Sequence, residues 1–126
     1  MILVLLAQIS LIQTWIDKAT DQLIVPPMVV TVAPAWEHPV LDFSPYMWVD
    51  PPKVYVSPLM PDDIPNDVAA YLAFHEVCHV ALRHQPTWDP ILIRQQQLEA
   101  DLCALDHLTY ASRRHRAWRN WVRRLR

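Results

Sequence analysis

The sequence predicts an α+β fold: an N-terminal helix, a small and mostly antiparallel sheet, two helices packed on each other, and a basic C-terminal helix. Apolar residues recur every three or four positions near the start, short β-branched runs alternate with prolines in the middle, and two long proline-free runs lie in the second half. With 126 residues, 52% of them hydrophobic, the chain has apolar material for one core. We therefore expect a single domain over residues 1–126.

The first element is an amphipathic helix, because its apolar residues are spaced by three and four and most other positions are polar. The apolar residues of this stripe are Ile2, Leu5, Ile9, Ile12 and Ile16. Gln8 and Ser10 interrupt the apolar start too soon for a membrane span, and no basic residues precede it as they would in a signal peptide. We therefore expect no membrane span and a cytoplasmic location.

The middle of the chain predicts short strands. Residues 28–33 are mostly β-branched and follow a pair of prolines. Two β-rich runs, residues 46–49 and 54–56, are joined by a turn that contains two prolines, which indicates a hairpin. Residues 36–43 are a further candidate, which Pro39 restricts to an edge strand or a loop.

Two helices are expected in the second half. The first begins near Asn66 and runs to Arg83 or His84. Asp89 followed by Pro90 is a typical N-cap and first-turn pair, and it opens a second helix that reaches Tyr110 or beyond. This second helix carries three leucines on one stripe. They are Leu98, Leu102 and Leu105.

Composition and charge limit the classes of function. The chain has no glycine, which excludes a glycine-rich phosphate-binding loop. Residues 1–106 hold all 13 acidic residues and four of the 11 basic ones, a net charge of −9, and seven arginines follow. The basic end is therefore an electrostatically separate segment.

The first of these helices contains the motif His75-Glu76-Val77-Cys78-His79. On a helix, residues four apart lie one turn above each other, so the two imidazoles approach one point in space with Glu76 beside them. This is half of a zinc site, in which a carboxylate can take a proton from a zinc-bound water. The motif predicts a zinc metallopeptidase with Glu76 as general base; the alternative is two histidines that only pack on an amphipathic helix.

The next helix is the expected source of a third ligand. The motif, followed about twenty residues later by the run Leu-Glu-Ala-Asp at residues 98–101, resembles the gluzincin metallopeptidases, in particular the minigluzincins and the phage-repressor-cleaving ImmA type. The resemblance covers about residues 29–108. It implies a Zn²⁺ cofactor and a peptide or protein substrate that pairs, as an extended strand, with residues 47–49 or 54–56.

The third ligand has three candidate assignments. In the resembled family it is a glutamate four residues before the aspartate, and Gln97 stands at that position here. Glu99 is favoured for its charge and reach, and Asp101, one turn beyond Gln97 on the same face, is the second candidate. The third alternative is a degraded site in a protein that is no longer hydrolytic. If Asp101 is not a ligand, we expect it to accept a hydrogen bond from a ligand histidine and fix its tautomer.

Other histidines and a tyrosine are weaker candidates. His107 and Tyr110 are candidate donors to a developing oxyanion, although packed or surface roles compete with that interpretation. His84 lies half a turn past the ligand face of the motif helix and is assigned no function. Cys78 and Cys103 are expected to be small buried side chains; a bridge between the two helices, or Cys103 as a thiolate ligand, are the alternatives.

The basic end has an amphipathic pattern, with Trp118, Val122 and Leu125 on one helical face. It could dock on the acidic body, bind nucleic acid through phosphates, lie on an anionic membrane or block the cleft. Its arginines are Arg113, Arg114, Arg116, Arg119, Arg123, Arg124 and Arg126. A second candidate function follows: a non-hydrolytic, zinc-bearing regulatory module that engages protein or nucleic acid through this end.

Overall fold

The computed structural model describes residues 2–33, 47–58, 60 and 63–108, and side chains from Leu6 onward. Within these ranges, three helices and three strands form an α+β fold that begins with a helix, as the sequence predicts. The helices are α1 (Ile2–Leu23), α2 (Asn66–Ala81) and α3 (Pro90–His107), and the strands are β1 (Val29–Val32), β2 (Met47–Asp50) and β3 (Lys53–Val56). The strand candidate at residues 36–43, Tyr110 and the basic segment 113–126 lie outside the described residues.

The sheet is mixed and has the strand order β1-β3-β2. β1 runs parallel to β3, with Val30 opposite Val54, and β2 runs antiparallel to β3, with Trp48 opposite Tyr55. The hairpin prediction is confirmed, since only Pro51 and Pro52 separate β2 from β3. The predicted sheet was mostly antiparallel, whereas this one has one pairing of each sense.

α2 is the most enclosed element, because it packs against α1, α3 and β2. Every residue from Val68 to His79 is buried. α1 contributes Ile12, Ile16 and Ala19 to the same core, which confirms the amphipathic pattern. Polar side chains in the buried run from Val68 to His79 are therefore shielded from bulk water.

Gln13 of α1 binds the outer edge of β1. Its side-chain amide donates to the carbonyl of Met28 at 3.0 Å and accepts from the backbone N–H of Val30 at 2.7 Å. These are the two kinds of hydrogen bond that a neighbouring strand would make. Within the described sheet, β1 is therefore covered by α1 on one edge and by β3 on the other, and β2 forms the opposite edge.

α1 and α2 end in the same backbone motif, although the chain has no glycine for it. After α2, Arg83 adopts a left-handed φ of 59°, its N–H bonds to the carbonyl of Val80, and the N–H of His84 bonds to the carbonyl of His79. After α1, Ile24 adopts a φ of 55° with the equivalent bonds. This is the Schellman arrangement, in which glycine is usual. It ends α2 at Ala81, two residues before the earlier of the expected ends, and turns His84 back toward the helix.

α3 begins as predicted, with the Asp89 side chain accepting from the N–H of Ile91 at 2.9 Å and Pro90 in the first turn. Two leucines of its stripe, however, face outward: Leu98 is 58% exposed and Leu102 is 55% exposed. Only Leu105 of the three packs, partly buried, against the core. The buried face consists of smaller and amide-bearing residues instead. They are Ile93, Gln96, Gln97, Ala100 and Ala104. Because alanine side chains are small, α3 lies close against α2 along this face.

Cys78 of α2 and Cys103 of α3 form a disulfide, with their Cα atoms 6.1 Å apart. The expectation that they are separate buried thiols is therefore wrong, and the bridge between packed helices is what the fold contains. The sequence did not reveal which faces of the two helices meet, and that contact alone decides whether the sulfur atoms are within bonding reach. Cys103 is accordingly not a thiolate ligand.

Within the described ranges, no helix combines the length and apolar character needed to cross a membrane. α1 is the longest helix at 22 residues, and its polar residues divide the apolar sequence.

Candidate metal centre

Three side chains of α2 form a group that could bind a metal ion. One donor atom from each of His75, Glu76 and His79 lies within 4.8 Å of the others. All three are buried, with exposed fractions of 5%, 1% and 1%. Because α2 is enclosed on several sides, this group lies inside the fold rather than on a solvated helix face.

The two imidazoles present the same atom to one point. Nε2 of His75 lies 3.1 Å from Nε2 of His79. Two Zn–N bonds of about 2.0–2.1 Å at a tetrahedral angle would separate the nitrogens by roughly 3.3 Å. The observed spacing therefore fits a tetrahedral ion shared by both rings, with Glu76 beside it.

Asp101 of α3 contacts the Nδ1 side of the His75 ring. Its Oδ1 atom lies 2.8 Å from Nδ1 of His75 and also accepts a hydrogen bond from the hydroxyl of Tyr71. An ionised carboxylate can only accept, so the imidazole must carry its proton on Nδ1. The lone pair of His75 is thereby left on Nε2, the atom that faces His79. This is the position that the sequence suggested for Asp101 if it were not a ligand.

His79 is supported by a different residue. Its Nδ1 atom lies 2.8 Å from Nδ1 of His84, and Nε2 of His84 lies 3.0 Å from Oε1 of Glu99. The two histidines of the motif thus each have a partner on the nitrogen that points away from the other ring. For His75 this partner is a carboxylate, and for His79 it is another imidazole.

The candidate third ligands differ in how far they are exposed to solvent. Glu99 lies on α3 with its side chain 47% exposed, and it lies outside the group formed by His75, Glu76 and His79. Gln97 is buried, with 7% exposed, one turn before Asp101. Residues four apart share a face of a helix, so the side of α3 that reaches His75 carries Gln97. Which residue is the third ligand stays a prediction.

His107 makes its contacts away from the metal-binding group. Its Nδ1 atom lies 2.8 Å from the carbonyl of Cys103 in its own helix, and its ring stacks on Phe74 with centroids 6.4 Å apart. These contacts are those of a packed helix-end residue. The oxyanion roles of His107 and Tyr110 stay predictions, and Tyr110 lies outside the described residues.

Two supporting residues escaped the sequence reasoning. A continuous helix would carry His84 half a turn past the face that holds His75 and His79, whereas the left-handed Arg83 turns His84 back toward His79. Tyr71 lies one turn before His75, and this spacing of four was a signal that could have identified it. No comparable spacing identifies His84.

Comparison with known proteins gives no match: no family model, no curated protein and no solved structure matches the chain. The assignment therefore depends on the motif and on the geometry of His75, Glu76 and His79, which form a buried cluster able to bind a metal ion.

Proposed function

We propose that the chain is a zinc metallopeptidase of gluzincin type that hydrolyses peptide bonds with Glu76 as general base. The observation that carries this proposal is the convergence of the two Nε2 atoms, 3.1 Å apart, with Glu76 in the same buried group. Imidazole nitrogen is a preferred zinc ligand, and the spacing suits tetrahedral coordination. Zinc is accordingly the metal we assign.

We assign the third protein position to Gln97 rather than to Glu99. Support comes from the burial of Gln97 on the face that holds Asp101, while the carboxylate of Glu99 is bonded to His84. An amide oxygen is a weaker ligand than a carboxylate, so zinc affinity should be below that of a site with two histidines and one glutamate.

Bound zinc would polarise the scissile carbonyl and make a neighbouring water more acidic. Glu76 takes a proton from this water while the oxygen of the water adds to the carbonyl carbon. Glu76 then passes the proton to the leaving nitrogen. His75 and His79 keep their Nε2 lone pairs directed at the centre. The buried surroundings limit bulk water, which strengthens the electrostatic interactions within the site.

An extended peptide could bind beside β2. β2 lies at the edge of the described sheet and packs against the motif helix, whereas β3 is the middle strand with neighbours on both sides. Of the two strands considered for substrate pairing, only β2 has the position for strand addition, which gives affinity through backbone hydrogen bonds.

The decisive test of the hydrolytic function is Glu76→Gln. We expect the variant to bind zinc with a stoichiometry equal to that of the wild type, because the two histidines are unchanged, and to lose cleavage of an unfolded protein substrate by at least about 100-fold. Metal analysis after dialysis and a gel-based cleavage assay measure the two properties. Cleavage at the wild-type rate would eliminate the mechanism.

A second candidate function is favoured by Gln97: a zinc-bearing regulatory module without hydrolytic activity. Gln97→Glu separates the two candidates, because it supplies the missing carboxylate at nearly constant shape. We expect zinc affinity to rise about tenfold or more on ligand chemistry. If the wild type binds zinc without cleaving the substrate and Gln97→Glu cleaves it, the native protein is the regulatory module. Cleavage by the wild type and by the variant supports the peptidase.

The proposed partners and location have tests of their own. Binding of nucleic acid through the arginines of residues 113–126 would fall steeply with rising salt, and no binding at low salt would exclude it.

The cytoplasmic location expected from the sequence stays a proposal. Persistent disulfides are rare in a reducing cytosol, so titration of free thiols in protein taken directly from cells would show whether Cys78 and Cys103 are bridged there.

A further inference from the structure

The nitrogen of His79 that points away from the centre faces an ambiguous partner. A carboxylate such as Asp101 can only accept a hydrogen bond, but a neutral imidazole has one donor and one acceptor nitrogen. The 2.8 Å contact between Nδ1 of His79 and Nδ1 of His84 is therefore compatible with either direction of donation. His84 alone does not determine which nitrogen of His79 keeps its lone pair.

Glu99 removes this ambiguity. Its Oε1 atom lies 3.0 Å from Nε2 of His84, so the carboxylate requires the proton of His84 on Nε2. Nδ1 of His84 then carries a lone pair and accepts from Nδ1–H of His79. The lone pair of His79 is consequently on Nε2, directed at the same point as that of His75.

Asp101, His75, His79, His84 and Glu99 form a continuous row of side-chain contacts. The number of N–H groups in this row is compatible with a cation between His75 and His79. Three imidazoles lie between Asp101 and Glu99, and in their neutral forms they would carry three N–H groups for these four contacts. The two carboxylates and the His79–His84 contact use all three. The contact between the Nε2 atoms of His75 and His79 is left with two facing lone pairs, which a bound cation would hold together.

The fold builds this arrangement with a helix end. Arg83, in the left-handed conformation, closes α2 and brings His84 back beside His79, with the His84 N–H bonded to the His79 carbonyl at 3.0 Å. The side chain of His84 is only 7% exposed, whereas that of Glu99 is 47% exposed. The row therefore passes from the buried centre to a carboxylate at the surface.

We propose that His84 and Glu99 are a positioning pair that holds His79 in its metal-binding tautomer, as Asp101 does for His75. Neither residue touches the metal in this assignment. The proposal rests on the metal site of the proposed function and adds a role for two residues outside the motif.

The first test measures Zn²⁺ affinity by competition with a chromophoric chelator. Loss of a group that supports a ligand histidine typically lowers metal affinity 10- to 100-fold, and we expect a reduction of about that size for His84→Ala. His84→Gln can accept from His79 through its amide oxygen and donate to Glu99, so its affinity should stay within about threefold of the wild type. Circular dichroism and thermal unfolding establish that each variant folds.

Glu99→Gln and Asp106→Asn are a matched pair, since each removes one exposed negative charge from α3. Only Glu99 contacts His84. We expect Glu99→Gln to lower Zn²⁺ affinity by about three- to tenfold, less than His84→Ala because Glu99 is partly solvated. Asp106→Asn should have no effect, and equal effects of the two variants would reject the pair as a specific device.

Long-range ¹H–¹⁵N correlation spectra of the zinc-loaded protein supply a readout that a packing role would not change. We expect the proton of His79 on Nδ1 and that of His84 on Nε2, with His84 shifting toward mixed tautomers in Glu99→Gln. A proton on Nδ1 of His84 in the wild type would overturn the proposal. A wild type that binds no zinc instead rejects the metal site, while zinc binding that His84→Ala leaves unchanged rejects the positioning pair alone.

Discussion

His75 and His79, the two histidines of the motif, are supported in different ways. Asp101 reaches His75 directly, from a position where its side chain is 16% exposed. His79 is reached through His84, and the carboxylate beyond it, Glu99, is 47% exposed. One support is thus a single, partly buried carboxylate, and the other consists of two side chains in succession, of which the second is at the surface. The same requirement, a lone pair on Nε2, is met once by the packing of α3 and once by the end of α2.

The disulfide connects the helices on which both supports depend, so its loss should give the largest change in stability. Replacing Cys78 and Cys103 by alanine opens a loop with a sequence separation of 25 residues. The chain-entropy model predicts a decrease of about 3.5 kcal/mol in the free energy of unfolding. Denaturant unfolding of the variant measures it, and the wild type with and without a reductant is the control; equal stability would mean that the bridge does not hold the two helices together.

Asp101→Ala should break the direct support more severely than Glu99→Ala breaks the indirect one. We expect Zn²⁺ affinity to fall by about 100-fold for Asp101→Ala and by about tenfold for Glu99→Ala, the two ends of the range for groups behind a ligand. Asp101→Ala also leaves the Tyr71 hydroxyl and Nδ1–H of His75 without this acceptor. Chelator competition in low and high salt sharpens the comparison, because only the effect of the exposed Glu99 should shrink with salt. A larger loss of Zn²⁺ affinity in Glu99→Ala than in Asp101→Ala would contradict this prediction.

The smallest expected effect concerns the turn that places His84. Arg83 has a φ of 59°, a conformation that costs a residue with a Cβ atom about 1 kcal/mol or more relative to glycine. Arg83→Gly should therefore raise the free energy of unfolding by about 1 kcal/mol without changing Zn²⁺ affinity. Arg83→Ala retains the Cβ atom and is the matched control, for which no gain is expected. A loss of affinity in Arg83→Gly would indicate that the arginine side chain itself holds His84.

Sequence patterns predicted the elements better than their contacts. The spacing of Ile12 and Ile16 located α1, the Asp89–Pro90 pair located the start of α3, and the prolines at residues 51 and 52 located the hairpin turn. Each of these signals depends on neighbours within a few residues. The outward face of α3 was not foreseen, because Leu98 and Leu102 are more apolar than the Gln97 and Ala100 that are buried in their place. Packing against α2 favoured a face with small residues, and hydrophobicity alone does not report that preference.

The sequence by itself determined the centre of the site: a helix with two histidines one turn apart and Glu76 beside them. That result follows from the repeat of the α-helix, which sets the relative positions of His75 and His79 whatever surrounds them. Only the tertiary structure decided which side chain contacts the Nδ1 atom of each histidine and whether the two cysteines meet. Asp101, Glu99 and Cys103 come from a helix whose rotation relative to α2 is set by packing, and His84 comes from a left-handed turn. The positions of Asp101, Glu99 and Cys103 depend on contacts between residues distant in the chain, for which no local periodicity exists. That of His84 depends on a positive φ that the residue type, arginine, does not indicate.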